Sequence, residues 1–418
     1  MNSLTMSRKE RQRLEVFGRV KRAEITLVRA AQWLKLSERQ THRMYKRFIR
    51  EKDAGLVHRL RGRKSNRRLD EATRRKVVAR YLERYADFGP THACEKLLED
   101  DGLSVSPDTL TRLLKQAGVW KRMRRGRKHR SRRERRACFG EMVQMDGSLH
   151  DWFEGRGPRC VLMDLVDDAT GKTHAKFFPE ETTAAAFDSF GEWIELHGIP
   201  RSVYVDRDSI YRPDRPATVE EELAGEGPLT QFGRAMKELD VDLIMAHSPQ
   251  AKGRVERKNR TMQDRLIKEL RLAGISAIPA ANAFLKNTFL PKLNAKQSVP
   301  ARHKADAHRR LARGTKLAEV LCFQEERTAG QDWCVRYESR WFQIDRKHEP
   351  LQLAGKRITV RRLLDGTIQL LHERTRLTFG ELSAQPKAVK VKKPIVNNKA
   401  FKPTARQRPP AFGKAVRT

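Results

Sequence analysis

Three carboxylates stand where divalent cations could be held: Asp146, Asp206 and Glu256. Asp146 closes a short apolar run, Met142-Val143-Gln144-Met145, and precedes Gly147. Asp206 closes another, Ser202-Val203-Tyr204-Val205. Such runs read as short strands. Glu256 falls in the first turn of a helix expected from Gly253 to about residue 272, with Val255, Met262, Leu266 and Leu270 spaced along one side. Glu256 lies off that stripe, with Lys252, Arg260 and Gln263 near it at helical spacing. Pro249 and Gly253 break regular structure just before it. Taken singly, Glu256 reads as an exposed carboxylate pairing with Arg260, of little energetic weight. Two strand-end acids plus a helical acid form a layout that recurs in two-metal phosphoryl transfer.

The neighbouring acids have simpler readings. Asp164 falls mid-strand and reads as structural or at a sheet edge. Asp167 and Asp168 suit a turn before Gly171, bonding the backbone. Asp151, before Trp152-Phe153, reads as surface, and Glu220-Glu221-Glu222 as solvated. Asp208 rivals Asp206, two residues on; Asp206 is preferred because it directly follows the apolar run.

The positioning elements come in a recognisable order. Strands are expected at 142–145, 159–166, 174–178 and 202–205, with a helix over 182–197 before the fourth. A helix over 229–239, a strand from 241 and the Glu256 helix follow. This is an α/β arrangement with a mixed sheet. Residues 142–272 resemble the integrase core of DDE transposases and retroviral integrases, most of all bacterial insertion-sequence transposases of the ISNCY kind. Four motifs carry the resemblance: Gln144-Met145-Asp146-Gly147, Val166-Asp167-Asp168-Ala169-Thr170-Gly171, Tyr204-Val205-Asp206, and Ser248-Pro249-Gln250-Ala251-Lys252-Gly253-Arg254-Val255-Glu256-Arg257-Lys258-Asn259. The last is the most specific.

The resemblance implies an RNase H-like core in which strands one and four are neighbours and the last helix packs across them. It implies Asp146, Asp206 and Glu256 as ligands of two Mg²⁺ ions, with Mn²⁺ as substitute, and an oligomer working on paired DNA ends. Lys252 and Arg260 would then hold the DNA backbone. The chain departs from the retroviral pattern where Asp206 is followed by Arg207-Asp208-Ser209 rather than Asn-Gly. The gap to Glu256 is also lengthened by an acidic, proline-containing insertion.

The composition points to the same class of partner. A formal charge of +36 over 418 residues and a pI near 10.5 call for a polyanion, and double-stranded DNA is the default. Residues 1–140 hold 40 Lys and Arg against 16 Asp and Glu, whereas residues 141–250 hold 10 against 22. Acids gather where cations are held, and bases where phosphates are held. No apolar run reaches the ~20 residues of a membrane span. The charged start has no secretory segment, and five scattered cysteines fit a reducing compartment. A cytoplasmic, nucleoid-associated bacterial protein is expected.

The flanks read as DNA-binding parts. Residues 1–66 form a helix-turn-helix module: a helix over 25–34, a turn at Lys35-Leu36, and a capping box Ser37-Glu38-Arg39-Gln40 opening a second helix. That helix carries Arg39, Gln40, Arg43, Lys46 and Arg47 outward and Met44 and Phe48 inward, which suits a major groove. Residues 67–120 form a second helix-turn-helix-like module. Its helices begin at Asp70, Thr91 and Ser106-Pro107, with Val77, Val78, Tyr81 and Leu82, then Leu110, Leu113 and Leu114, turned inward. Residues 121–138, with Arg124 and Arg125, form a basic linker into the core at 139–275. A helical extension (276–318), a small β-barrel (319–381) with a hairpin turn at Asp365-Gly366, and a disordered basic tail (382–418) complete the chain. The expected function is a DNA transposase performing phosphodiester hydrolysis and strand transfer. The alternative is a transposase-derived, non-catalytic DNA-binding regulator.

Overall fold

The computed structural model describes residues 4–62, 68–121, 134–216, 219–223, 227–246, 253–373 and 375–383. The chain divides into two compact units, Met1–Gly126 and Arg127–Thr418.

In the first unit, α1 (Arg8–Lys21), α2 (Leu27–Leu34) and α3 (Glu38–Glu51) pack around Phe17, Met44, Phe48 and Leu56. Thr26 caps α2, and Lys35 ends it in the left-handed region at φ 52°. Ser37 then accepts a bond from the Gln40 amide at 3.3 Å. The full reciprocal capping box occurs elsewhere, at Ser7 and Glu10, where α1 begins. Three further helices follow: α4 (Glu71–Arg84), α5 (Pro90–Glu99) and α6 (Pro107–Gln116). Val77, Tyr81, Leu110, Leu113 and Leu114 are buried as their spacing requires, but Leu82 is exposed.

The second unit is built on a five-stranded mixed sheet in the order β3-β2-β1-β4-β5. Its strands are β1 (Val143–His150), β2 (Cys160–Asp167), β3 (Thr173–Phe178), β4 (Ser202–Val205) and β5 (Asp242–Met245). The first three form an antiparallel meander, and β4 runs parallel to both β1 and β5. The connections carry α7 (Thr183–His197), α8 (Val219–Leu223) and α9 (Gln231–Glu238); α10 (Val255–Leu272) follows β5. The sheet is covered on both faces. Phe187, Phe190 and Trp193 of α7 and Phe232 of α9 meet Val143, Met145, Met163 and Val203 on one side. Met262, Leu266 and Leu270 of α10 meet Leu162 and Phe177 on the other. Strand β2 is therefore buried along its whole length, and Asp164 lies in a central strand, not at an edge.

Two expectations about this core change. β1 runs four residues past Asp146, so the Asp-Gly pair lies inside a strand, with Asp146 opposite Asp164 and Gly147 opposite Met163. And α10 packs chiefly on β1 and β2, where it was expected to cross β1 and β4. Beyond it, α11 (Ile278–Phe284), a π-helical turn (Leu285–Phe289) and α12 (Leu290–Gln297) pack against the same face through Ala281, Leu285 and Leu293.

After α13 (Leu317–Val320) come β6 (Phe323–Thr328), β7 (Cys334–Tyr337), β8 (Arg340–Ile344), β9 (Arg357–Arg362), β10 (Ile368–His372), β11 (Thr375–Leu377) and β12 (Phe379–Leu382). These form two sheets, β11-β10-β9-β6 and β12-β8-β7, that share one core including Val335, Phe342, Ile358 and Leu370. The expected closed barrel is thus two open sheets around a common core. The Asp365-Gly366 turn is present, with Gly366 at φ 84°. Among the described residues, no helix is long and apolar enough to cross a membrane.

One edge of the core is sensitive to acid. His197, packed against Trp193 and Phe139, is held down to about 4 by burial, then by the positive charges of Lys172, His308 and His174. Glu192 is held at about 2, first by His174, whose Nε2 lies 3.2 Å from its carboxylate, and further by Lys176. An unfolded His197 takes up a proton at pH 6.5 that the folded one refuses, so stability should fall as pH drops from 6.5 to 4. Glu192 adds a second loss between 4.5 and 2. Thermal unfolding against pH should show both limbs, and His197→Gln should flatten the first. An unchanged first limb would assign it to other groups.

Candidate active site

Asp146 and Glu256 line one groove of about 380 Å³ between β1 and α10. The helix contributes Glu256, Asn259, Arg260 and Gln263, spaced i, i+3, i+4 and i+7, which is one face of an α-helix. The strand contributes Asp146 to Leu149. Asp146 and Glu256 are both half-buried. The Asn259 amide donates to Asp146 Oδ2 at 2.9 Å, and Gln263 donates to Ser148 Oγ at 3.3 Å. Asn259 is buried, so it fixes the Asp146 carboxylate from within the fold.

Asp206 follows β4 directly. The β1–β4 register pairs Gln144 with Tyr204. Continued two residues along each strand, it sets Asp206 beside Asp146. Asp206 Oδ1 accepts the Asp208 amide at 3.1 Å. Asp208 instead serves its own turn, accepting from the Ile210 amide at 3.0 Å and from Ser209 Oγ at 3.3 Å. Asp206 is not among the residues that line the groove with Asp146 and Glu256.

The start of α10 is held by a buried polar linkage. Asp168 Oδ1 accepts from Gln144 Nε2 at 2.8 Å and from Arg254 Nε at 2.7 Å. Its Oδ2 accepts the Arg136 amide at 2.8 Å. Gln144 Oε1 in turn accepts the Val255 amide at 3.2 Å, serving one of the first amides of the helix. Asp168 and Gln144 are fully buried. Asp167 does the local work expected of both acids, accepting from the Thr170 amide and hydroxyl at 2.7 and 2.6 Å. Asp168 thus links, directly to Arg254 and through Gln144 to Val255, to the chain just before Glu256.

Hard carboxylate oxygens fit a hard divalent cation such as Mg²⁺ or Mn²⁺. Among the described residues, however, no three His, Cys, Asp or Glu side chains are gathered into a cage for an ion.

No family model matches the chain. It is 38% identical over 372 residues to the putative transposase y4bF of Sinorhizobium fredii (strain NBRC 101917 / NGR234), covering 88% of this chain and 80% of that protein. The chain belongs to the transposase family. It is also 30% identical over 300 residues to the transposase for insertion sequence IS1202 of Streptococcus pneumoniae, covering 62% of each. Among solved structures, the catalytic core domain of BIV integrase aligns at 20% identity and TM-score 0.27, over 38% of this chain and 88% of that one. A simian T-cell lymphotropic virus intasome, in complex with a PP2A regulatory subunit, aligns at 13% identity and TM-score 0.32, over 67% and 93%.

In this transposase some of the expected DNA contacts of the first unit lie on α3. Arg39, Gln40, Arg43 and Lys46 are exposed on α3 and Arg47 is half-buried, while Thr41, Met44 and Phe48 are buried behind them. Arg260 lies on the groove. Lys252, Arg124 and Arg125, together with most of the linker and tail, fall outside the described residues. Sequence reasoning passed over Asn259, Gln144 and Asp168 as working residues. Asn259 follows Glu256 by three, a spacing that puts both on one helix face.

Proposed function

We propose that this transposase binds the ends of its element and, with two divalent ions, hydrolyses and transfers phosphodiester bonds in double-stranded DNA. The observation that carries the reading is the groove that joins Asp146 to Glu256. Asp146, Asp206 and Glu256 would hold Mg²⁺, or Mn²⁺ in its place. Ions so held supply an activated water or 3′-hydroxyl and offset charge on the leaving oxygen. Asn259 keeps Asp146 in one orientation, and the Asp168 linkage keeps Glu256 on the facing helix. Arg260, with Lys252, offers cations to the DNA backbone beside the acids. The exposed face of α3 docks on the element end, and the protein works as a homo-oligomer on paired ends in the bacterial cytoplasm.

The test uses full-length protein and a labelled duplex carrying the element boundary. Cleavage at the boundary should require Mg²⁺ or Mn²⁺ and stop with a chelator. Asp146→Asn and Glu256→Gln should each lose at least about a thousandfold in rate and keep DNA binding. Binding without metal-dependent cleavage, unchanged by either variant, would make the protein a DNA-binding regulator.

A further inference from the structure

Strand β3 stands at one end of the five-stranded sheet, with β2 on its inner side. In an antiparallel pair the backbone groups of alternate residues turn away from the partner. An edge strand therefore presents a row of amides and carbonyls on which another chain can pair. In β3 two of these residues are met by side chains of the helical segment that follows α10. Asn294 of α12 accepts the Thr173 amide at 2.8 Å and donates to the Thr173 carbonyl at 2.8 Å. Asn282 of α11 accepts the Phe177 amide at 2.7 Å and donates to the Phe177 carbonyl at 3.0 Å. A side-chain amide carries the same donor and acceptor as a peptide group, so each asparagine stands in for one residue of a neighbouring strand.

The two asparagines reach the same strand because the helix between them is not regular. Their positions differ by 12 residues. On an uninterrupted α-helix that spacing would leave them about 120° apart around the axis. The π-helical turn Leu285–Phe289 lies between them. One such turn takes up roughly one extra residue, which reduces the angle to about 20°. Pro291, in the first turn of α12, has no amide to give to the preceding turn, and its ring opposes a regular helix there. Behind the asparagines, Ala281, Leu285, Phe289 and Leu293 share a core with Ala175 and Phe177 of β3. Apolar contact brings the segment onto the strand, and the two amides occupy its outward backbone groups.

We propose that Asn282 and Asn294 seal the edge of β3, so that a second copy of this chain cannot add its own β3 to the sheet. Thr173 and Phe177 flank Ala175 symmetrically along the strand. Once opened, that edge is self-complementary: an antiparallel pairing centred on Ala175 satisfies the outward groups of both copies. Proline and free lysine are common guards of an edge. β3 holds no proline, and its one lysine, Lys176, is turned to Asp188 and Glu192 of α7, so the asparagines carry the protection. Copies of the chain must then meet through other surfaces.

The test uses the full-length protein without DNA, and neither readout depends on cleavage. Hydrogen exchange, resolved by residue, reads the Thr173 and Phe177 amides. Light scattering after size exclusion reads the assembled mass. Asn294→Ala should speed exchange at Thr173 about tenfold or more and leave Phe177 protected. Asn282→Ala should do the reverse. The double variant should assemble to a mass above that of the wild type, rising with protein concentration, while β1 and β2 keep their protection. Adding Thr173→Pro removes one outward donor at the first residue of β3, where the β2 ladder does not use it, and should return the mass toward that of the wild type. Wild-type protection of both amides in the single variants would overturn the latch and the seal with it. A folded double variant that keeps the wild-type mass over about a hundredfold range of concentration would overturn the seal. So would association that Thr173→Pro leaves unchanged, because it would then run through another surface.

Discussion

Asp168→Ala is expected to abolish boundary cleavage and to lower the unfolding midpoint, although Asp168 lies outside the groove. The carboxylate is fully buried and accepts from Gln144, Arg254 and the Arg136 amide. Alanine removes the acceptor that Arg254, Gln144 and the Arg136 amide share at this position. Removing one partner of a buried ion pair costs about 3–5 kcal/mol. The Arg254 side chain is 19% exposed, so water recovers part of its bonding and the lower end applies. In a unit of this size that is on the order of 10 °C in the midpoint. Activity should fall further than stability, because Gln144 then loses the bond that aims its Oε1 at the Val255 amide. The first turn of α10, and Glu256 with it, loses its fixed position, and misplacement by about 1 Å can cost a hundredfold in rate. Asp168→Asn separates the two effects. Its carbonyl can still accept from Gln144 and Arg254, but its amide meets the Arg136 amide donor to donor. It should fall between wild type and alanine in both assays. Full cleavage by folded Asp168→Ala would show that Glu256 does not depend on this linkage.

The difference between what could and could not be read from the chain follows from range. Strands β2 to β5 and helices α7, α9 and α10 fall within a residue or two of their expected bounds, because period and caps are local signals. β1 is longer than its apolar run, which ends at Asp146-Gly147, and nothing nearby in the sequence reveals that the Glu181 carboxylate fills the glycine's open side. Asp167 and Asp168 are identical in type and adjacent. Only the fold, which brings Arg254 and Gln144 to one of them, separates a turn acid from a linking acid. The pairing of Asp146 with Asn259 spans 113 residues, and no spacing rule reaches that far. The C-terminal region was legible as a set of strands with a turn at Asp365-Gly366. Whether their edges join is decided by twist and register between distant strands, and here two sheets share a core without closing.

Removing Arg39 and Arg43 from α3 should weaken binding to the element end far more than removing Arg8 and Arg11 from α1. All four are exposed, and each pair removes the same charge from the first unit. If bulk charge alone holds DNA, the two double variants should be alike. If α3 lies in a groove, its pair meets phosphates or base edges directly. Each lost phosphate contact then takes about 0.9 from the slope of log affinity against log salt, so the α3 variant should lose up to about 1.8 and the α1 variant little. Affinity in moderate salt should fall about a hundredfold or more for the α3 pair. Gln40→Ala separates positioning from reading. An amide bonded to a base edge carries about 1–3 kcal/mol of discrimination and no counterion release. That variant should bind element and unrelated DNA more nearly alike with an unchanged salt slope. Stability should hold in all of them, since Thr41, Met44 and Phe48 on the buried side of α3 are untouched. Equal losses from the α1 and α3 pairs would make α3 a solvated basic helix and move recognition of the element end to another part of the chain.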